Sequence, residues 1–256
     1  MVPLAGIVSA AGLYALGGRR LAHRNLWRDG AFYAGLATLV VAVVGPVDEY
    51  ADRLFFIHMT QHVLITMVAP PLLLVGRPWP RVVRALPKRM RRRAGRAGHA
   101  VQRKLEWPAS PLPAFALFNG VLLLWHVPAL YDATLRSEVV HDCEHVLFFV
   151  TALLFWAHLV PAGRRPALGD AQRVAYGTGA IFVSWALAVV LGLATRPLYG
   201  AYAGLAHRPL GISALADQQL AAGVMWVPAS IPFTVAVFVA AYGWLGAPRH
   251  LRPREI

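Results

Sequence analysis

The chain has one cysteine, Cys143, so no disulfide can form within it and cysteine usage says nothing about compartment. Lysine is almost missing: Lys88 and Lys104 are the only two, and every other basic residue is arginine. Charge is scarce, at 14% of residues, against about 25% in an ordinary soluble domain. The long apolar runs lack strict alternation, which excludes barrel strands and leaves helices as the way to cross lipid. No basic segment precedes the apolar stretch from Met1 to Gly18. The arginines follow it, at Arg19, Arg20, Arg24 and Arg28, the reverse of a cleaved signal peptide, so this stretch reads as a retained first span. HExxH and GxSxG motifs are absent too, which removes the familiar metalloprotease and serine-hydrolase readings.

What is present is apolar residue, 57% of 256, with a mean hydropathy of +0.51. The expected fold is all-α: a polytopic membrane helix bundle forming a single transmembrane domain over 1–256. Seven spans are expected, at about 2–18, 30–47, 55–76, 111–130, 140–161, 173–194 and 217–246. Pro70-Pro71 should bend the third span and Pro228 with Pro232 the last. Of the 25 Lys and Arg, all but Arg53, Arg136, Arg196 and Arg208 fall in alternate loops and the C-terminal tail. The positive-inside rule then predicts the N-terminus outside and the C-terminus cytoplasmic. The same rule explains the net charge of +13 without nucleic acid. Its densest part is a basic cytoplasmic loop at about 77–107, whose arginines are expected at anionic lipid headgroups.

With that orientation, five of the ten histidines come to one depth at the outer face. His58 and His62 open the third span, His126 closes the fourth, and His141 and His145 open the fifth. Ionisable groups in spans are rare and usually face a bundle interior or a functional site. Residues i and i+4 of a helix lie about 40° apart around the axis, so each pair can aim two imidazoles at one point. Two such helices face to face make a nitrogen-rich metal site, with His58, His62, His141 and His145 as its ligands. His126, Met59 and Asp217 are supporting or alternate ligands; Met59 would add a soft thioether. Asp142, Glu144, Asp217 and Gln218 are candidate partners that orient imidazoles. Cys143 should point away from the histidines flanking it. Met225, two turns inside the last span, reads as core packing.

On residues alone copper and zinc are equally good occupants, and two other classes compete. One is a b-type haem protein with bis-His ligation across the third and fifth spans. The other is a zinc-dependent membrane enzyme. Histidines at i and i+4 on one helix cannot both be axial to one haem, which favours a compact metal site.

The stretches HMTQHVLITMVAPPLLLVGRPW, NGVLLLWHVPALYDATLRSEVVHDCEHVLFFVTALLFW and DQQLAAGVMW, in this order, resemble the multi-span CtaG-type cytochrome c oxidase assembly factors over about Leu54 to Trp244. His58, Gln61, His62, His126, His141, His145, Asp217 and Gln218 are the matching polar positions. The resemblance implies a bacterial plasma (inner) membrane protein and a non-enzyme. It would help deliver or insert copper into a haem–copper oxidase. Its partners would be an oxidase subunit and an extracytoplasmic copper donor. Copper thereby moves ahead of zinc and haem.

Overall fold

A computed structural model describes residues 2–19, 25–93, 96, 106–160, 167–205 and 207–246. Among them there is helix and no strand. The elements are α1 (Val2–Gly18), α2 (Leu26–Val43), α3 (Pro46–Ala51), α4 (Phe55–Val63), a π-helical turn (Leu64–Val68), α5 (Ala69–Val75), α6 (Pro78–Ala85), α7 (Pro111–Trp125), α8 (Pro128–Thr134), α9 (Glu138–Leu159), α10 (Asp170–Leu193), α11 (Gly200–Ala203), α12 (Ala214–Trp226) and α13 (Ser230–Gly246).

Five helical segments are long and apolar enough to cross a membrane, and six if one sharply bent pair counts as a span. Seven were expected, and two differences account for the gap. At 17 residues and about 1.5 Å per residue, α1 falls short of the roughly 30 Å hydrocarbon core. The expected span 111–130 breaks after Trp125 and turns by 80° into α8. Pro128 has no N–H for helical pairing, and His126 Nδ1 donates to Leu122 O at 2.7 Å, taking that carbonyl for a side chain. The long final segment, Ala214–Gly246, divides at 227–229 beside Pro228.

The third span keeps its course through the proline pair by widening. Pro70 and Pro71 cannot donate to the preceding turn, and the chain answers with five π-helical residues in which Ala69 N reaches back to Leu64 O. One of the carbonyls there, Thr66 O, accepts instead from Trp156 Nε1 on α9 at 2.9 Å. That bond pins the third span to α9 beneath the level of the histidines. Trp156→Phe keeps the ring stack on Phe233 and loses the donor. The expected cost is about 1–3 kcal/mol, the usual penalty for an orphaned buried acceptor, read as a lower melting temperature in detergent.

The basic segment departs from expectation at one residue. Arg81 on α6 is buried, ion-paired with Asp29 and seated 4.3 Å over the Tyr14 ring. Tyr14 in turn donates to Gly76 O at 2.9 Å. Gly17 makes this contact feasible, because a Cβ there would collide with the Arg81 carbonyl. Arg81 therefore fastens α6 to α1 rather than reaching headgroups; residues 94, 95 and 97–105 of the same loop lie outside the described ones.

Candidate metal centre

Leu54 is extended and α4 starts at Phe55, so His58 and His62 occupy its first two turns. Ser137 is likewise extended and α9 starts at Glu138, which puts His141, Glu144 and His145 in the first two turns of that helix. The two helix beginnings meet. One ligand atom from each of His58, His62, His141, Glu144 and His145 lies within 4.8 Å of every other. It is the one such group found among the described residues. His58 Nε2 is 2.9 Å from His62 Nε2, and Glu144 Oε2 is 3.7 and 3.6 Å from these two nitrogens. Ring centroids are 5.1 Å apart for His58 and His141 and 5.4 Å for His62 and His145. Two ligands each about 2.0–2.1 Å from a tetrahedral ion are about 3.3 Å apart. The observed spacings bracket that value.

His58, Gln61, His62, Glu144 and Asp217 are buried, while His141 and His145 are half-buried. His62 Nδ1, His141 Nε2, His145 Nε2 and both Glu144 oxygens have no hydrogen-bond partner and no solvent. Buried polar atoms are normally satisfied. His141 Nε2, His145 Nε2 and the Glu144 oxygens belong to the converging group, a donor set that could hold a cation, whereas His62 turns Nε2 to the cluster and its orphaned Nδ1 away from it. Nitrogen and carboxylate donors suit divalent zinc or copper.

One proton assignment follows from the surroundings. Tyr202 on α11 has a single hydroxyl hydrogen, which it donates to Ala51 O. Its oxygen therefore accepts from His58 Nδ1, 3.0 Å away, and the Nε2 of His58 is left as a bare lone pair facing the cluster. Burial pushes the Tyr202 phenol well above its ordinary value, so it stays a donor at any physiological pH.

The remaining predicted residues take supporting places. Asp217 accepts from the Phe55 and Phe56 N–H groups at 2.9 and 3.0 Å, capping α4 with both oxygens. Gln218 accepts from Leu198 N and donates to Leu191 O. Gln61 donates to Ala42 O and Asp48 Oδ1 on the back of α4. Asp142 and Cys143 are exposed, away from the cluster. His126 aims Nε2 at the Met59 sulfur, 3.4 Å away, and neither is among the five. Glu144, an expected additional or imidazole-orienting residue, has its oxygens level with the imidazole nitrogens. Its i+3 spacing from His141 was the available signal. Tyr202 was missed, since it comes from a connection after α10 with no periodicity to read.

The sequence profile of one family, described as cytochrome c oxidase caa3 assembly factor, matches residues 12–247. Among curated proteins, the chain is similar to uncharacterised proteins of Mycobacterium bovis and Mycobacterium tuberculosis, each 26% identical over all of this chain and 40% of the relative. An uncharacterised protein of Mycobacterium leprae is 22% identical over 90% of this chain and 36% of its own length. The chain thus spans well under half the length of these relatives. No solved structure matches.

Proposed function

The chain belongs to the cytochrome c oxidase caa3 assembly factor family, and from that premise we propose that it holds copper at His58, His62, His141, Glu144 and His145 for delivery to, or insertion into, a haem–copper oxidase. Copper here is cargo. The observation that carries this reading is the convergence of five ligand groups within 4.8 Å, with His141 Nε2, His145 Nε2 and both Glu144 oxygens buried and unpartnered. His141 and His145 are only half-buried, which suits ligand exchange with a partner.

The cluster sits at the start of two helices, and the arginine distribution assigns that end to the extracytoplasmic side. A donor protein would load the site there, and an oxidase subunit would take the ion within the membrane or at its outer edge. The basic loop would meet anionic lipid on the other side of a bacterial plasma membrane. Nothing in this role needs bond-making turnover, so the protein acts as a metallochaperone and not as an enzyme. Against a haem, the imidazoles touch one another directly: His141 and His145 centroids are 4.1 Å apart and those of His58 and His62 are 4.4 Å apart. Neither pair can therefore flank one porphyrin as its two axial ligands.

The protein purified from membranes should carry copper in a fixed ratio to chain by elemental analysis and show no Soret band. A stoichiometric zinc content would transfer the same five ligands to the zinc reading. A Soret band lost with the histidines would overturn both.

A further inference from the structure

Beside the cluster lies a cavity of about 20 Å³, lined by Met59, His62, Met67, His126 and Met225 among others. It is large enough for one water-sized occupant, which needs about 10–15 Å³. Thioethers fill irregular gaps in many cores, and a methionine lining would ordinarily be read that way. His126 changes the reading. Its Nδ1 is 2.7 Å from Leu122 O, so the hydrogen on the neutral ring is there. Nε2 is then a bare lone pair, and it faces the Met59 sulfur at 3.4 Å. Neither atom has a hydrogen to offer the other, and both are in a place nearly closed to water: His126 is 7% exposed and Met59 1%. Two lone pairs held together this way lack an electrophile between them.

We propose that His126 Nε2 and Met59 Sδ bind a soft monovalent cation of the Cu(I) class, at a site distinct from the His/Glu cluster, with Met225 and Met67 as further thioethers around it. The spacing fits. A nitrogen about 2.0 Å and a sulfur about 2.3 Å from a tetrahedral ion are about 3.5 Å apart. The donor types fit too, because thioether and imidazole favour Cu(I), whereas the four imidazoles and carboxylate next door suit a divalent ion. His62 lines the cavity and also belongs to the cluster, so the two sites are neighbours with one shared wall.

The test uses full-length protein in detergent with Ag(I), a soft closed-shell probe that undergoes no redox change. X-ray absorption should show sulfur and nitrogen bound to about one equivalent of silver. Met59→Leu keeps volume and apolarity; it should lower the sulfur signal and weaken silver binding by roughly tenfold or more, while Zn(II) binding to the cluster is unchanged. His145→Ala should do the opposite, losing Zn(II) and keeping silver–sulfur contact. No sulfur around silver in the unaltered protein, or an unchanged signal in Met59→Leu, overturns the soft site. Loss of Zn(II) binding in the unaltered protein, with silver–sulfur contact intact, removes the cluster reading and sustains this one.

Discussion

Replacing His62 or His145 with alanine is expected to strip the copper from the purified protein and to leave the host's haem–copper oxidase unassembled, with the variant chain still present in the membrane. Each imidazole supplies a nitrogen within the 4.8 Å group. Losing a direct ligand should weaken binding by more than the roughly 10–100-fold seen when an outer-shell partner of a ligand is removed. The fold should tolerate His145→Ala best, because it removes a buried nitrogen, Nε2, that has no partner; His62→Ala also takes Nε2 away from His58 Nε2, 2.9 Å from it, and is the less conservative of the two. Copper content, oxidase activity and the amount of variant protein in membranes are the three measurements. Full copper and full oxidase in both variants would refute the site. Asp142→Ala is the matched control; that side chain is exposed outside the cluster and its loss should leave copper content unchanged.

Asp217→Ala should be the most damaging single change outside the cluster, at about 3–5 kcal/mol. The carboxylate is fully buried and bonds two N–H groups of the first turn of α4, Phe55 at 2.9 Å and Phe56 at 3.0 Å. Hydrogen bonds to a charged group contribute about 1.5–3 kcal/mol each, and the α4 dipole adds to them. Alanine leaves both donors without an acceptor, Phe55 N–H buried and Phe56 N–H partly so. Asp217→Asn retains one acceptor oxygen and should recover part of the loss. Melting of the purified protein in detergent measures both. Copper should fall only in step with unfolding, because Asp217 holds the helix on which His58 sits rather than the ion. An alanine variant with an unchanged melting temperature would mean that the cap is dispensable.

The parts of the site visible in the sequence are those that depend on one helix at a time. His58 with His62, and His141 with His145, follow from i,i+4 spacing, and the exposed position of Cys143 follows from the same wheel. Glu144 shares that wheel, but its type suggested a partner for imidazoles, and only the approach of α4 to α9 brings its oxygens level with the nitrogens. Tyr202 and Asp48 reach the back of the site from connecting segments, where no period exists to follow. Asp217 looked like a possible ligand because it lies at the level of the histidines; that position equally serves the start of α4, and the unpaired N–H groups there claim it. The break after Trp125 was signalled by Pro128 but hidden by the apolar run around it. Arg81 was hidden among like charges, and its burial depends on Gly17 and Asp29, far away in sequence.

Glu144 has a further consequence, in electroneutrality. Ionised, it is the sole formal charge among the five converging groups, against four imidazoles that bind metal in neutral form. A monovalent ion would leave the filled site neutral. A divalent ion would leave one positive charge not balanced within the cluster, where desolvation is costly. If the cluster loads a divalent ion as proposed, that step would be coupled to a second event, the arrival of an anion such as chloride or hydroxide or the loss of a proton from a bound water. Release to an acceptor that supplies its own negative ligand would run that coupling in reverse.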